Sequence, residues 1–200
     1  MARRADVLEL AVLGLLHDSP MHGYELRKRL NALLGAFRAL SYGTLYPALK
    51  ALLADGLIRE AGQLDGPAPA LAGRRARIVY ELTAEGKERF HDLVTRPGPA
   101  AWEDESFDVH FAFFARTDAA TRLQILEGRR TRLQERLDGV RTSMARTRER
   151  LDGYTLELQR HGLESVEREV RWLSELIDTE RAGNMTHLDD PDAPDRRPPA

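Results

Sequence analysis

The chain has no cysteine among its 200 residues. That excludes disulfide scaffolds, thiolate nucleophiles and cysteine-based zinc sites. No apolar run approaches the roughly 20 residues needed to cross a bilayer, so no membrane partner is expected. Residues 1–6 hold two arginines, but residues 7–16 carry Glu9 and lack a small-residue cleavage site. No signal peptide is therefore expected, and the chain reads as cytoplasmic. Catalytic signatures are missing as well. The histidines at 17, 22, 91, 110, 161 and 187 never pair at i, i+3 or i+4. There is no HExxH, no nucleophile elbow and no phosphate-binding glycine loop. The acidic group Glu103, Asp104, Glu105 and Asp108 reads as a helix N-terminal set that suits the macrodipole, not as a metal site. We expect no enzyme, no catalytic or metal-binding residues and no cofactor.

Acidic residues are also absent between Ala39 and Lys50, and this absence is the informative one. Leu45, Ala48, Leu49 and Leu52 there fall at i, i+3, i+4 and i+7, one buried helix face. The other face keeps Tyr42, Gly43, Thr44, Tyr46 and Lys50: hydroxyls, bare backbone and a cation. Such a surface suits the major groove of double-stranded DNA. A net charge of −2 looks unsuited to that role until it is divided. Residues 1–95 hold 13 Lys+Arg against 11 Asp+Glu, and residues 96–200 hold 17 against 21. The positive balance lies on the side of the candidate helix, with Arg74, Arg75 and Arg77 clustered in one loop.

Around that helix the elements fall in an ordered series. Residues 6–17 predict a largely buried first helix. Residues 18–23, punctuated by Pro20 and Gly23, read as a turn. Residues 24–34 predict a second helix with Tyr24, Leu26, Leu30 and Leu33 inward, while Arg27, Lys28 and Arg29 form a solvated face. The third helix is expected to start with Gly43 or Thr44 as its cap, because Pro47 then lies in the first turn, where its missing N–H costs nothing. Asp55-Gly56 stops it. Residues 57–60 and 76–82 predict two antiparallel strands, joined by a loop rich in Gly, Pro and Ala with a basic tip. Thr83 caps a fourth helix. Helix, helix, helix, strand, strand, helix is the order of a winged helix-turn-helix domain.

The second half is helical. Phe107, Phe111 and Phe114 make an aromatic stripe at i, i+4 and i+7. From Thr121 to His161 there is no proline, and Leu133, Leu137, Val140, Met144, Leu151, Tyr154 and Leu158 form a heptad seam, interrupted earlier by Arg130. His161-Gly162 is expected to end this helix. A last helix carries Leu163, Val166, Val170, Leu173 and Ile177. Trp172 and Leu176 lie outside its strict series and ask for cover that a second copy could supply. The expected architecture is mainly α with a small β-hairpin. A winged helix-turn-helix domain at 1–95 and a linker at 96–105 precede a helical dimerisation hairpin at 106–183 and a disordered tail at 184–200.

Four motifs in fixed order are similar to a known family. His22-Gly23-Tyr24-Glu25-Leu26, residues 41–49 (SYGTLYPAL), Asp55-Gly56-Leu57-Ile58 and residues 79–86 (VYELTAEG) together resemble the PadR transcriptional regulators over about residues 7–93. The wing loop at 61–75 is longer and richer in Pro and Ala than that family's compact wing. The resemblance implies a prokaryotic regulator, usually a repressor, that binds a palindromic operator as a homodimer. It also implies release by a small-molecule effector near the dimer interface. The candidate DNA-binding residues are Ser41, Tyr42, Gly43, Thr44, Tyr46, Lys50, Arg74, Arg75 and Arg77. Two uses stay open for Tyr46, a DNA contact or a ring packed under the wing, and Arg77 could instead pair with Glu60. Leu133, Leu137, Val140, Leu163, Val166, Val170, Trp172, Leu173 and Ile177 are the candidate dimerisation residues. The rival reading is a coiled-coil protein–protein interaction module built on a winged-helix scaffold.

Overall fold

A computed structural model describes residues 2–34, 42–61, 78–96, 98–147 and 152–183. The chain divides into two compact units, Met1–Asp118 and Ala119–Ala200. The fold is mainly helical with one small antiparallel sheet.

In the first unit, helix α1 (Ala2–Asp18) buries Leu8, Leu10, Ala11, Val12, Leu13, Leu15 and Leu16. So continuous an apolar run suits a helix covered on most sides. It packs against α2 (Gly23–Leu34), α3 (Tyr42–Ala54), α4 (Ala84–Thr95), α5 (Phe107–Ala112) and strand β3 (Val79–Leu82). The turn expected at residues 18–23 contains a short strand, β1 (Met21–His22), paired antiparallel to β3 through Met21↔Tyr80 and His22↔Val79. β2 (Ile58–Ala61) lies on the other side of β3, with Arg59 opposite Glu81 and Glu60 opposite Tyr80. The sheet therefore has three strands in the order β1-β3-β2. Two residues are too short to show alternation, which is why β1 is invisible to pattern reading.

Helix α3 begins at Tyr42, earlier than expected, so Pro47 lies inside it. The Gly43 carbonyl then has no donor four residues on, a cost of ~3 kcal/mol. Burial of Leu45, Leu49 and Leu52 on the core side, about 1.5–3 kcal/mol each, offsets it, and Pro47 itself faces solvent. The far end closes as a Schellman turn. Leu57 N–H bonds the Leu52 carbonyl (2.9 Å) and Gly56 N–H the Leu53 carbonyl (3.2 Å), with Gly56 at φ +72°.

The expected Thr83 cap of α4 is present and does a second task. Its Oγ1 accepts from Gly86 N–H (3.0 Å) and donates to the Gly56 carbonyl (2.7 Å). Thr83 N–H also bonds the Leu57 carbonyl (3.2 Å), so α4 starts hard against the entry to β2. A Cβ at position 86 would lie 1.9 Å from the Leu57 carbonyl oxygen, so this junction admits only glycine.

Part of the expected linker at 96–105 is folded. Pro99–Trp102 form a 3-10 turn with Ala101 buried, and α5 follows. Val109 and Phe113 join the core that α1 organises, so the first unit runs to Asp118 rather than ending near residue 95. The stripe Phe107, Phe111, Phe114 is assembled, with centroids 5.8 and 4.9 Å apart. Phe113, outside that stripe, packs edge-on against Phe90.

The second unit is an antiparallel pair of helices, α6 (Ala119–Thr147) and α7 (Gly153–Arg181), each 29 residues long. The break falls near Asp152, not at His161-Gly162. Asp152 accepts from the Tyr154 and Thr155 N–H groups (both 3.0 Å), and Thr155 Oγ1 donates to its second oxygen (2.7 Å). These bonds hold the Asp152 carboxyl below its usual range and make it the α7 cap. α7 then runs through Gly162, whose cost of about 1 kcal/mol is outweighed by packing along its length. Tyr154 and Leu158, which share the α6 seam in sequence, are 92% and 71% exposed. Leu151 and the tail at 184–200 lie outside the described residues. Rungs Arg122–Glu180 (2.5 Å), Glu127–Arg181 (2.6 Å), Arg129–Glu169 (2.8 Å) and Arg141–Glu167 (2.6 Å) set the register.

Gly86→Ala should lower the unfolding free energy by about 2 kcal/mol or more through overpacking at a backbone oxygen. Gly139→Ala, in a helix with open space around it, should raise it by up to about 1 kcal/mol. Urea titrations of both variants check the opposite signs. Burial pushes His110 down from 6.5 to about 4. The unfolded chain therefore takes up this proton first: its contribution is intact above about pH 6.5 and is lost as pH falls toward 4, by up to about 3 kcal/mol. Urea midpoints at pH 7.5 and 4.5 should differ less for His110→Gln than for the parent chain.

Candidate nucleic-acid interface

Helix α3 has two chemically distinct sides. Leu45, Leu49 and Leu52 are buried against the core of the first unit, with Ala48 and Leu53 partly so. Thr44, Pro47, Lys50, Ala51 and Ala54 are exposed. Residues 42–54 contain no acidic side chain, so nothing on the helix itself opposes an approaching phosphate, and Lys50 adds a cation. Tyr46 is half-buried and packed against the core cluster. Tyr42 and Gly43 form the first turn of the helix. Ser41, Arg74, Arg75 and Arg77 lie outside the described residues.

Helix α2 precedes α3 and gives the helix-turn-helix its first half. Leu26 and Leu30 are buried in it as expected, whereas Tyr24, expected inward, is 38% exposed. Arg29 pairs with Glu25 one turn away (2.9 Å), and Lys28 is exposed, the solvated face anticipated for this stretch.

At the base of the wing the ion pair joins Arg59 to Glu81 (2.5 Å), directly opposite one another across β2 and β3. Glu60 stands opposite Tyr80 in the register, and its pairing with Arg77 falls outside the described residues. Sequence reading missed the Arg59–Glu81 pair, although aligning Ile58 with Leu82 as a buried pair would have found it. Among the described residues no His, Asp or Glu group could hold a metal. No described helix is long and apolar enough to cross a membrane.

The candidate dimerisation residues divide in the same way. Leu133, Leu137, Leu173 and Ile177 are buried within the chain and hold its own fold. Their side chains are turned into the α6–α7 pair of the same chain. Val140 and Trp172 are exposed, and Leu163, Val166 and Val170 are half-buried.

A model of the Transcriptional regulator PadR-like family matches residues 12–92. The Negative transcriptional regulator PadR of Bacillus subtilis (strain 168) is 32% identical over 101 residues, covering 50% of this chain and 52% of that protein. The chain thus spans about half the length of that curated relative. Among solved structures, Bacillus subtilis PadR in complex with operator DNA is similar at 22% identity, covering 87% of this chain and 99% of that one, TM-score 0.38. Its complex with p-coumaric acid is similar at 22% identity, 88% and 99% coverage and TM-score 0.37.

Leu49→Ala should cost about 2–5 kcal/mol of stability, whereas Lys50→Ala should stay within about 0.5 kcal/mol of the parent chain. Thermal melts of the two variants separate the core side of α3 from its exposed side.

Proposed function

We propose, on the match of the PadR-like family model to residues 12–92, that this chain is a sequence-specific DNA-binding repressor of that family. It grips a palindromic operator as a cytoplasmic homodimer and lets go when a small-molecule effector binds. The observation that carries this reading is α3, anchored by Leu45, Leu49 and Leu52 while Thr44 and Lys50 stand exposed with no acidic neighbour on the helix. Ser41, Tyr42, Gly43, Thr44 and Tyr46 are assigned to the front of the recognition surface, and Lys50 to a phosphate one turn further on. Arg74, Arg75 and Arg77 are assigned to the wing, where arginines reach the adjacent minor groove.

A single helix-turn-helix unit buries too little surface for operator specificity, so two half-sites about one helical turn apart are required. The exposed apolar residues of the second unit supply a reason for pairing. Val140 and Trp172, with the half-buried Leu163, Val166 and Val170, are the residues we assign to the dimer contact.

Footprinting on the DNA upstream of the chain's own reading frame should reveal a symmetric protected site. Protection without symmetry, or none, would refute the proposal. Thr44→Ala and Lys50→Ala should weaken operator binding, and Lys50→Ala should leave the melting temperature nearly unchanged. Arg74→Ala combined with Arg75→Ala should reduce the log–log salt slope by about one unit per lost phosphate contact.

A further inference from the structure

The C-terminus of α1 is fastened to the last turn of the first unit by one guanidinium. Arg116 lies in the 3-10 turn Phe114–Arg116. Its Nη1 is 3.1 Å from Nδ1 of His17, and its Nη2 donates to the Asp18 carboxylate. Backbone bonds fix the turn itself, from Arg116 N–H to the Phe113 carbonyl (2.9 Å) and from Thr117 N–H to the Phe114 carbonyl (3.0 Å). The His17 ring rests on Phe90 of α4, with centroids 5.1 Å apart, and Phe90 leads on to Phe113. His17, Asp18 and Arg116 are all exposed, so protons reach them freely.

A guanidinium has donors and no acceptor. Nδ1 of His17 is therefore the acceptor, the ring is neutral, and Nε2 carries its proton. A second proton, placed on Nδ1, would point at the N–H of Arg116 and set two cations against each other. The charged groups facing the ring are Arg116 from the turn, Asp18 from α1 and Lys87 from α4. Partial burial lowers the His17 pKa from its usual value, and the Arg116 charge lowers it further. Asp18 opposes them and Lys87 acts with Arg116. Asp18 is the one carboxylate of this group, and Arg116 already engages it.

We propose that His17, Asp18 and Arg116 form a proton-released clasp, closed on the neutral imidazole and opened when the ring takes up a proton. The clasp adds stability above about pH 6.5, where folded and unfolded chains both leave this ring neutral, and that contribution is lost as the pH falls. It holds the Phe114–Arg116 turn against α1, and it operates whatever α3 binds.

Nuclear magnetic resonance of the full chain tests this, with the His17 ring signals assigned through His17→Phe. At pH 8 the ring nitrogens should show the proton on Nε2, and on acidification His17 should titrate below about pH 6.5. Arg116→Met should move that midpoint up by about 0.5 in pH. Urea midpoints of His17→Phe, Arg116→Met and the double variant form a cycle in which the titration of His110 cancels. The losses should be non-additive at pH 8, and the coupling should vanish or reverse sign at pH 5. A proton on Nδ1 at pH 8, a parent midpoint at or above 6.5, or a midpoint unmoved by Arg116→Met overturns the proposal. So does a coupling that is equal at the two pH values. Should Arg116→Met fail to fold, the tautomer and midpoint of the parent chain still decide.

Discussion

Burial of α1 on most of its sides is the constraint that shapes the first unit. Leu10 through Leu16 can be shielded only if helices and sheet surround them, so α2, α3, α4, α5 and β3 all take positions against one axis. Gly14 shows how close that enclosure is, since a Cβ there would lie 2.2 Å from the Phe113 ring. Phe113 in turn stacks edge-on against Phe90 of α4, whose start is locked to β2 by Thr83. The orientation of α3 toward solvent is therefore the outcome of packing made elsewhere. A recognition helix needs such rigidity, because base-edge contacts tolerate little misplacement.

Much of this was legible from residues because local chemistry and tertiary demand agree. The α3 apolar series at three-four spacing, the Gly56 stop and the Thr83 cap each have a single local solution, and all three are present. Three features were not legible. The start of α3 turned on weighing one lost hydrogen bond at Pro47 against three buried leucines, and burial is a tertiary quantity. β1 is too short to carry a period. The α6–α7 break failed for a different reason: Leu151, Tyr154 and Leu158 continue the α6 spacing by coincidence of period, while Asp152-Gly153 carried the competing N-cap signal.

The candidate interface divides along the same line. Sequence pattern suffices to separate the buried side of α3 from its exposed side, because both follow from one helical period. It does not separate dimer contacts from hairpin contacts in the second unit. Leu133, Leu137, Leu173 and Ile177 share the spacing of Val140, Val166 and Val170, and only the folded chain shows which seam is already occupied.

The four guanidinium–carboxylate rungs between α6 and α7 carry a further consequence. Each is a contact between one arm and the other, and its chemistry is the same whether both arms belong to one chain or to two. What keeps the pairing at home is the brevity of the connection at 148–151, which makes the effective concentration of one arm at the other very high. Stretching that connection with a stiff spacer would remove the advantage without touching a rung, and the arms would then trade between molecules.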